Sequence, residues 1–436
     1  MAEKSYQVII IGGGASGMSA AVAALREMEK YERKNEDGGG KVLLLESNDR
    51  VGKKILATGN GKCNFTHENV STEHYHTDDP DVLNTVLTGF PTEAALHFFA
   101  ELGMLFREKN GYFYPFSETA STVLDVLRLR LSELGCEILC GVRVEEAKKN
   151  GEGFLISFKV QEKRYRVKGE SLIIATGSKA GGFLRDKEED PLRIPASLGL
   201  QSTPLYPALT KCICREGQYF RQLAGVRAQV GLKLFCGSAF LRQEKGELQL
   251  TKEGISGIAV FQLSGEIAQR LSEKNRMFVE INFLPDFAED ELAVWAEKRI
   301  SLLAGRTLEE FFLGVLHKKI LGVCLQAEGL GGAERVSSGQ AVCSVMRRAM
   351  HFTTEVTSVS DMGQAQVCRG GLCLAQFDEK LQCRKIPGLF ACGEVLNVDG
   401  ECGGYNLHFA WASGVLAGRT AAVFKGDTAR RFPVQP

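Results

Sequence analysis

An α/β fold with a Rossmann-like core, interrupted by inserted segments, is predicted by three observations. A β-branched run, QVIII (7–11), leads into the glycine turn GGGASG and then a segment with Met18, Ala21, Val22, Leu25 and Met28 at helical spacing. A second apolar run, KVLLLE (41–46), reads as a buried parallel strand ending in a carboxylate and completes a βαβ unit. Far downstream, GLFACGEV (388–395) resumes the strand-and-glycine pattern.

The turn fits G-x-G-x-x-G through Gly12, Gly14 and Gly17. The first glycine permits the tight turn, the second lets a pyrophosphate approach the backbone, and the third lets the helix pack on the strand. Free amides at the helix start, with the helix dipole, favour phosphate there. Glu46 ends the second strand, where a carboxylate accepts hydrogen bonds from ribose hydroxyls and disfavours a 2′-phosphate. It lies farther from Gly17 than the usual spacing, which a surface insertion at YERKNEDGGG (31–40) explains.

Downstream, EAALHFFAEL (93–102) and STVLDVLRLRLSEL (121–134) read as helices, and EILCGVRVEEA, GFLISFKV and KRYRVKG as a small antiparallel sheet. SLIIATG (171–177) returns to a buried strand, followed by a loop, SKAGGFLRDKEEDP. Short alternating runs mark a β-rich domain over 201–285, and three amphipathic stretches a helical domain over 286–350. The core domain is then expected as 1–200 with 351–436.

Composition narrows the function. Lys plus Arg and Asp plus Glu number 53 each, so no global field attracts nucleic acid or an anionic membrane. The thirteen cysteines contain no C-x-x-C pair, which points to reduced structural thiols and to no metal site. The N-terminus carries no apolar signal region and no stretch approaches the roughly 20 apolar residues of a spanning helix, so a cytoplasmic protein is expected. Neither G-x-S-x-G nor H-E-x-x-H occurs, leaving hydrolase and zinc-protease readings without support.

ATG at 175–177 and G-E at Gly393–Glu394 resemble the elements that flank the flavin in two-dinucleotide-type flavoproteins, which favours FAD over NAD. GGGASG, VGKKILATGNGKCNFT, TKEGISGIAVFQLSG and GEVLNVDGECGGYNLHFAWASG together resemble the BaiN/YhiN-type flavoproteins, a branch of the glutathione-reductase-like FAD superfamily, nearly end to end. The resemblance implies an FAD domain completed by the C-terminal segment. It also implies either reduction of conjugated double bonds in 3-oxo bile-acid intermediates or oxidation of aminoacetone. FAD contacts are expected from Gly12, Gly14, Ala15, Ser16, Gly17 and Glu46, from Val144, Thr176 and Gly177, and from Gly393 and Glu394. No second strand-GxGxxG-helix unit is present, so NAD(P)H, if used, docks transiently.

GKKILATGNGKCNFTH (52–67) departs from a P-loop, because Gly61-Lys62 precedes Cys63 and position 56 is Leu. The resemblance places it against the cofactor, with Lys54, Gly59, Gly61 and Asn64 facing the diphosphate or flavin edge. Cys63 reads as structural, since a redox thiol needs a partner and a lowered pKa. A Cys392–Cys402 pair would bring a thiol–disulfide oxidoreductase into consideration. The loop entering the last helix directs amides at Gly404, Asn406 and Leu407 toward the flavin pyrimidine, with Tyr405 and His408 as substrate contacts. The leading expectation is an NAD(P)H-driven reductase of a small apolar enone, a 3-oxo steroid, with no nucleic-acid or membrane partner. The alternatives are an amine oxidase and a non-catalytic flavin-binding regulator.

Overall fold

The structure, a computed structural model, describes residues 4–35, 41–184, 190–336 and 338–424, with backbone alone for 31–35. It divides into two compact units, Met1–Leu205 with Val367–Pro436, and Tyr206–Gln366.

The first unit is built on a parallel sheet. β1 (Lys4–Ile11) is followed by the glycine turn, α1 (Ala15–Asn35) and β2 (Val42–Glu46). Ile9, Ile10 and all five residues of β2 are buried, as expected where helices cover both sheet faces. Residues 31–35 of the loop expected at 31–40 are helical instead, because Glu32, Arg33 and Lys34 favour helix; residues 36–40 lie outside the described residues.

Two short strands, β3 (Thr66–His67) and β4 (Tyr75–Thr77), lead through β5 (Tyr112–Pro115) to α2 (Ala120–Glu133). EILCGVRVEEA is two strands rather than one. β6 (Glu137–Cys140) runs parallel to β2, and β7 (Val142–Asn150) starts an antiparallel meander with β8 (Gly153–Val160). KRYRVKG and SLII, in contrast, are one strand, β9 (Lys163–Ile174). Its first half pairs with β8 and its second with β11 (Leu389–Ala391), while β1 runs parallel along its other edge. The meander is thus continuous with the main sheet, in the order β6-β2-β1-β9-β8-β7.

The chain re-enters this unit through β10 (Val367–Arg369) and ends with β12 (Val398–Gly400), antiparallel to β4, and α3 (Tyr405–Val423). α1 and α3 lie side by side in one direction. A Cβ at Gly414 would stand 2.2 Å from Ser19 Oγ and 2.4 Å from Ser16 O, and one at Gly418 2.1 Å from Ala20 O. With Ser16 level with Gly414, α3 begins eight residues earlier, so its N-terminus projects about 12 Å beyond that of α1.

In the second unit, six strands close into a barrel, in the order Cys212–Cys214, Gly254–Ser256, Ala239–Leu250, Arg227–Cys236, Met277–Asn282 and Phe352–Val359. The helices Ile258–Ser272, Leu292–Leu302, Lys318–Ala327 and Gly339–Met350 share its core, with Leu263, Ala296, Cys324 and Met346 buried alongside Leu234 and Val279. The stretches 201–285 and 286–350, expected as separate domains, therefore have one core between them. Phe352–Val359 closes the barrel, so the chain leaves this unit at Gln366 and not at 350. No helix among the described residues is long and apolar enough to cross a membrane.

Gly418→Val should lower stability by about 1–3 kcal/mol through overpacking against α1 and reduce FAD retention in parallel. Thermal unfolding and the flavin content of the purified variant check this.

Candidate functional site

The glycine turn is sterically compelled. Gly12 has φ +111°, and a Cβ there would lie 2.1 Å from Ala175 O; one at Gly17 would lie 1.9 Å from Gly12 O. Gly14 differs, because a Cβ there meets nothing within 4 Å. The open space faces the first amides of α1, which have no partner within the helix. Ala15 and Ser16 open that turn, and Ser16 Oγ, 2.2 Å from a Cβ at Gly393, donates to Cys392 O at 3.3 Å. Ser16 thus joins the two glycine segments, and Gly393 N is held by Ser413 Oγ at 2.9 Å.

Glu46 is buried and already engaged. Its Oε2 accepts from Gly13 N at 2.7 Å, and its Oε1 from Asn48 N and Nδ2 at 2.8 and 2.9 Å. Oε2 therefore keeps a lone pair for a ribose hydroxyl. Beside it lies a cleft of about 650 Å³ lined by Asn48, Lys53, Cys140, Gln161 and Phe183.

The second helix start lies at Gly404. A Cβ there would meet Asn64 Oδ1 at 2.8 Å and Thr66 O at 2.9 Å. Asn64 Oδ1 is a buried acceptor with no hydrogen-bond partner among the described residues, which suits a donor on a bound group such as the flavin N3–H. The Asn406 side chain is committed to Gly400, accepting from its N at 2.8 Å and donating to its O at 2.7 Å, so only its main chain can serve a ligand. Leu407 is half-buried against the core of this unit. An open phosphate cradle at one helix start and an orphan acceptor at a second, in parallel helices, fit the elongated FAD.

The segment between them is strained. Asn60 and Cys63 hold φ of 53° and 57°, and Gly59 and Gly61 are also left-handed. Gly52 N donates to Gly13 O at 2.9 Å, anchoring the segment on the glycine turn. Lys54, expected to face the diphosphate or the flavin edge, is paired with an acid, its Nζ lying 2.6 Å from Glu394 Oε2. Glu394 Oε1 in turn accepts from Cys368 N at 3.2 Å, so these two residues brace each other.

Two further expected contacts are engaged elsewhere. The Val144 carbonyl accepts from Arg193 Nη2, and Thr176 Oγ1 donates to Pro191 O at 2.9 Å. Both polar groups therefore fasten the 190–193 segment, while Gly177, at the end of β9, keeps open space around it.

Residues 6–420 match the HI0933-like protein Rossmann domain family. The chain belongs to this family. It is 36% identical over 417 residues to the 3-dehydro-bile acid delta(4,6)-reductase of Clostridium scindens, covering 95% of this chain and 98% of that one. It is also 26% identical over 411 residues to the ribosomal RNA dihydrouridine synthase of Haemophilus influenzae, covering 93% and 96%. Among solved structures, a mutant E. coli quinol fumarate reductase FrdA shares the fold at TM-score 0.50 and 15% identity, covering 100% of this chain and 72% of that one. The HI0933-like chain is an FAD-dependent oxidoreductase.

All thirteen cysteines are free thiols, so Cys392 and Cys402 are not joined by a disulfide. Burial pushes the Cys63 and Cys392 thiols up to about 12, which removes thiolate at neutral pH. Tyr405 stacks with His67 and with His74, with centroids 4.9 and 4.6 Å away, and its hydroxyl lies 3.2 Å from His67 Nδ1. Burial raises its pKa. The histidines missed by sequence reasoning had a signal, because three of the seven fall within residues 67–76.

His408 departs from its expected place as a substrate contact. It is fully buried and cannot meet substrate. Its Nε2 donates to Phe90 O at 2.9 Å, so Nδ1 is the acceptor for Thr66 Oγ1 at 2.7 Å. Burial lowers its pKa to about 4, against the opposing pull of the Phe90 carbonyl. Below the unfolded value of about 6.5, the unfolded chain takes up a proton that the native ring refuses. Stability contributed by neutral His408 is thus complete above about pH 6.5 and lost progressively toward pH 4. Urea unfolding should show wild type losing about 2 kcal/mol more than His408→Gln between about pH 7 and pH 5. Equal losses would contradict this.

Proposed function

We propose that this protein reduces a carbon–carbon double bond conjugated to a carbonyl in a small apolar substrate of the 3-oxo steroid class, with NAD(P)H as the electron source. The end-to-end match to a bile-acid reductase carries this reading. The dihydrouridine synthases support the same bond chemistry, because dihydrouridine is uridine saturated at a double bond conjugated with a ring carbonyl.

When bound, FAD supplies hydride transfer. The chain supplies placement and charge. The α1 amides around open Gly14 would hold the diphosphate, and Glu46 Oε2 a ribose hydroxyl. The amides at the start of α3 favour negative charge beside Gly404, and Asn64 Oδ1 accepts a proton donor there. Lys54 and Glu394 neutralise each other, which keeps an unpaired charge away from an apolar substrate.

A second reading, reduction of uridine in RNA, draws on the two dihydrouridine synthases. Charge weighs against it: the chain is neutral, and the Tyr206–Gln366 unit carries 19 Lys or Arg and 18 Asp or Glu.

Anaerobic mixing distinguishes the readings. NADH or NADPH should bleach the flavin, and a 3-oxo-Δ4 steroid should restore its colour and yield a product heavier by two hydrogens. Bleaching by amines alone, with colour returning only on admission of oxygen, would contradict the proposal. Return of colour with a uridine-containing RNA and with no steroid would favour the second reading.

A further inference from the structure

The loop before α3 gathers polar groups that the cofactor contacts leave unused. Gly403 has φ +131°, and a Cβ there would stand 2.7 Å from Tyr112 Cε1 and 3.5 Å from Tyr405 Cε2. Each of these ring carbons neighbours the one that bears the hydroxyl. Two phenols therefore converge on Gly403, one residue before the Gly404 that faces the orphan acceptor Asn64 Oδ1. Both sit on regular elements. Tyr112 opens β5 as the cross-strand partner of His67 on β3, and the two rings meet edge to face at 5.1 Å. Tyr405 is the first residue of α3.

The two hydroxyls differ in what they can give. His67 Nδ1 accepts from Asn69 N at 3.1 Å, so it carries a lone pair and no proton, and burial lowers the pKa of the ring and keeps it neutral. The Tyr405 hydroxyl, 3.2 Å from the same nitrogen, is therefore the donor of that pair, and its proton is committed. Tyr112 is half-buried, and its hydroxyl makes no hydrogen bond to another described residue. Burial, with smaller contributions from Cys402 and Glu401, raises its pKa, so it holds its proton at neutral pH. Tyr114 and exposed Phe116 continue the same face, while Phe113 packs on Phe106 and Pro115 is buried. That face is aromatic along its length and leads away from the free hydroxyl.

We propose that the Tyr112 hydroxyl donates a hydrogen bond to the carbonyl oxygen of the enone and stabilises the negative charge that gathers there during reduction. The inference rests on the reductase reading above. Hydride, drawn from NAD(P)H through FAD, forms a C–H bond at the β-carbon. The π pair of the double bond becomes the bond between the α-carbon and the carbonyl carbon, and the C=O π pair becomes the charge on oxygen, which Tyr112 holds. A proton from water then forms the C–H bond at the α-carbon and the carbonyl is restored. Tyr112 keeps its own proton throughout.

Infrared difference spectra and rapid mixing of the FAD-loaded protein test this. With the flavin oxidised, a 3-oxo-Δ4 steroid carrying ¹³C at its carbonyl should show that stretch moved to lower frequency on binding wild type, and Tyr112→Phe should lose most of the shift. Tyr112→Phe should take electrons from NADPH or NADH at the wild-type rate and pass them to the steroid about 100-fold more slowly. Retained FAD in the variant reports folding. A wild-type shift together with a wild-type steroid step in Tyr112→Phe would overturn the role of Tyr112 alone. Wild type that neither shifts the carbonyl nor passes electrons to any enone would overturn the role together with the reductase reading.

Discussion

The site depends on the close approach of α1 and α3. Gly414 and Gly418 let α3 settle against Ser16, Ser19 and Ala20 with almost no side chain between the helices. Their shared direction puts two positive helix ends on one side of the sheet, staggered by about 12 Å. A dinucleotide with phosphates in its middle and a polar ring system at one end matches two such ends better than one. Because the helices are hundreds of residues apart in sequence, the site exists only when the first unit is closed by its C-terminal segment.

The strained segment from Gly52 to Cys63 spans the two helix starts. It is tied to the turn through Gly13 O, to the C-terminal segment through Lys54 and Glu394, and to the start of α3 through Asn64 and Thr66. Thr66 also serves buried His408, and Phe65 O accepts from Trp411 Nε1 at 2.9 Å. These bonds compensate for left-handed backbone at Asn60 and Cys63.

Local chemistry was legible in the sequence. The glycine turn, β2 ending at Glu46 and the helix after Gly404 each follow from adjacent residues. Long-range pairing was not. β9 reads as two strands because its first half alternates with exposed residues and its second half is buried on both faces. Phe352–Val359 reads as part of the C-terminal domain until its barrel partners, more than 70 residues earlier, are known. The pairing of Lys54 with Glu394, 340 residues later, is equally invisible in the local sequence. His76 carries no motif; only the fold shows it beside Asp399, which Arg369 also contacts.

The central claim is that the open cradle at Gly14 receives the phosphates of FAD, and one substitution addresses it. FAD titration and thermal unfolding of the apoprotein should be compared for wild type and Gly14→Ala. Since nothing lies within 4 Å of the added methyl, the apoprotein should unfold no earlier than wild type, while FAD binds at least about tenfold more weakly. Unchanged FAD affinity would place the diphosphate elsewhere and contradict the assignment of the site.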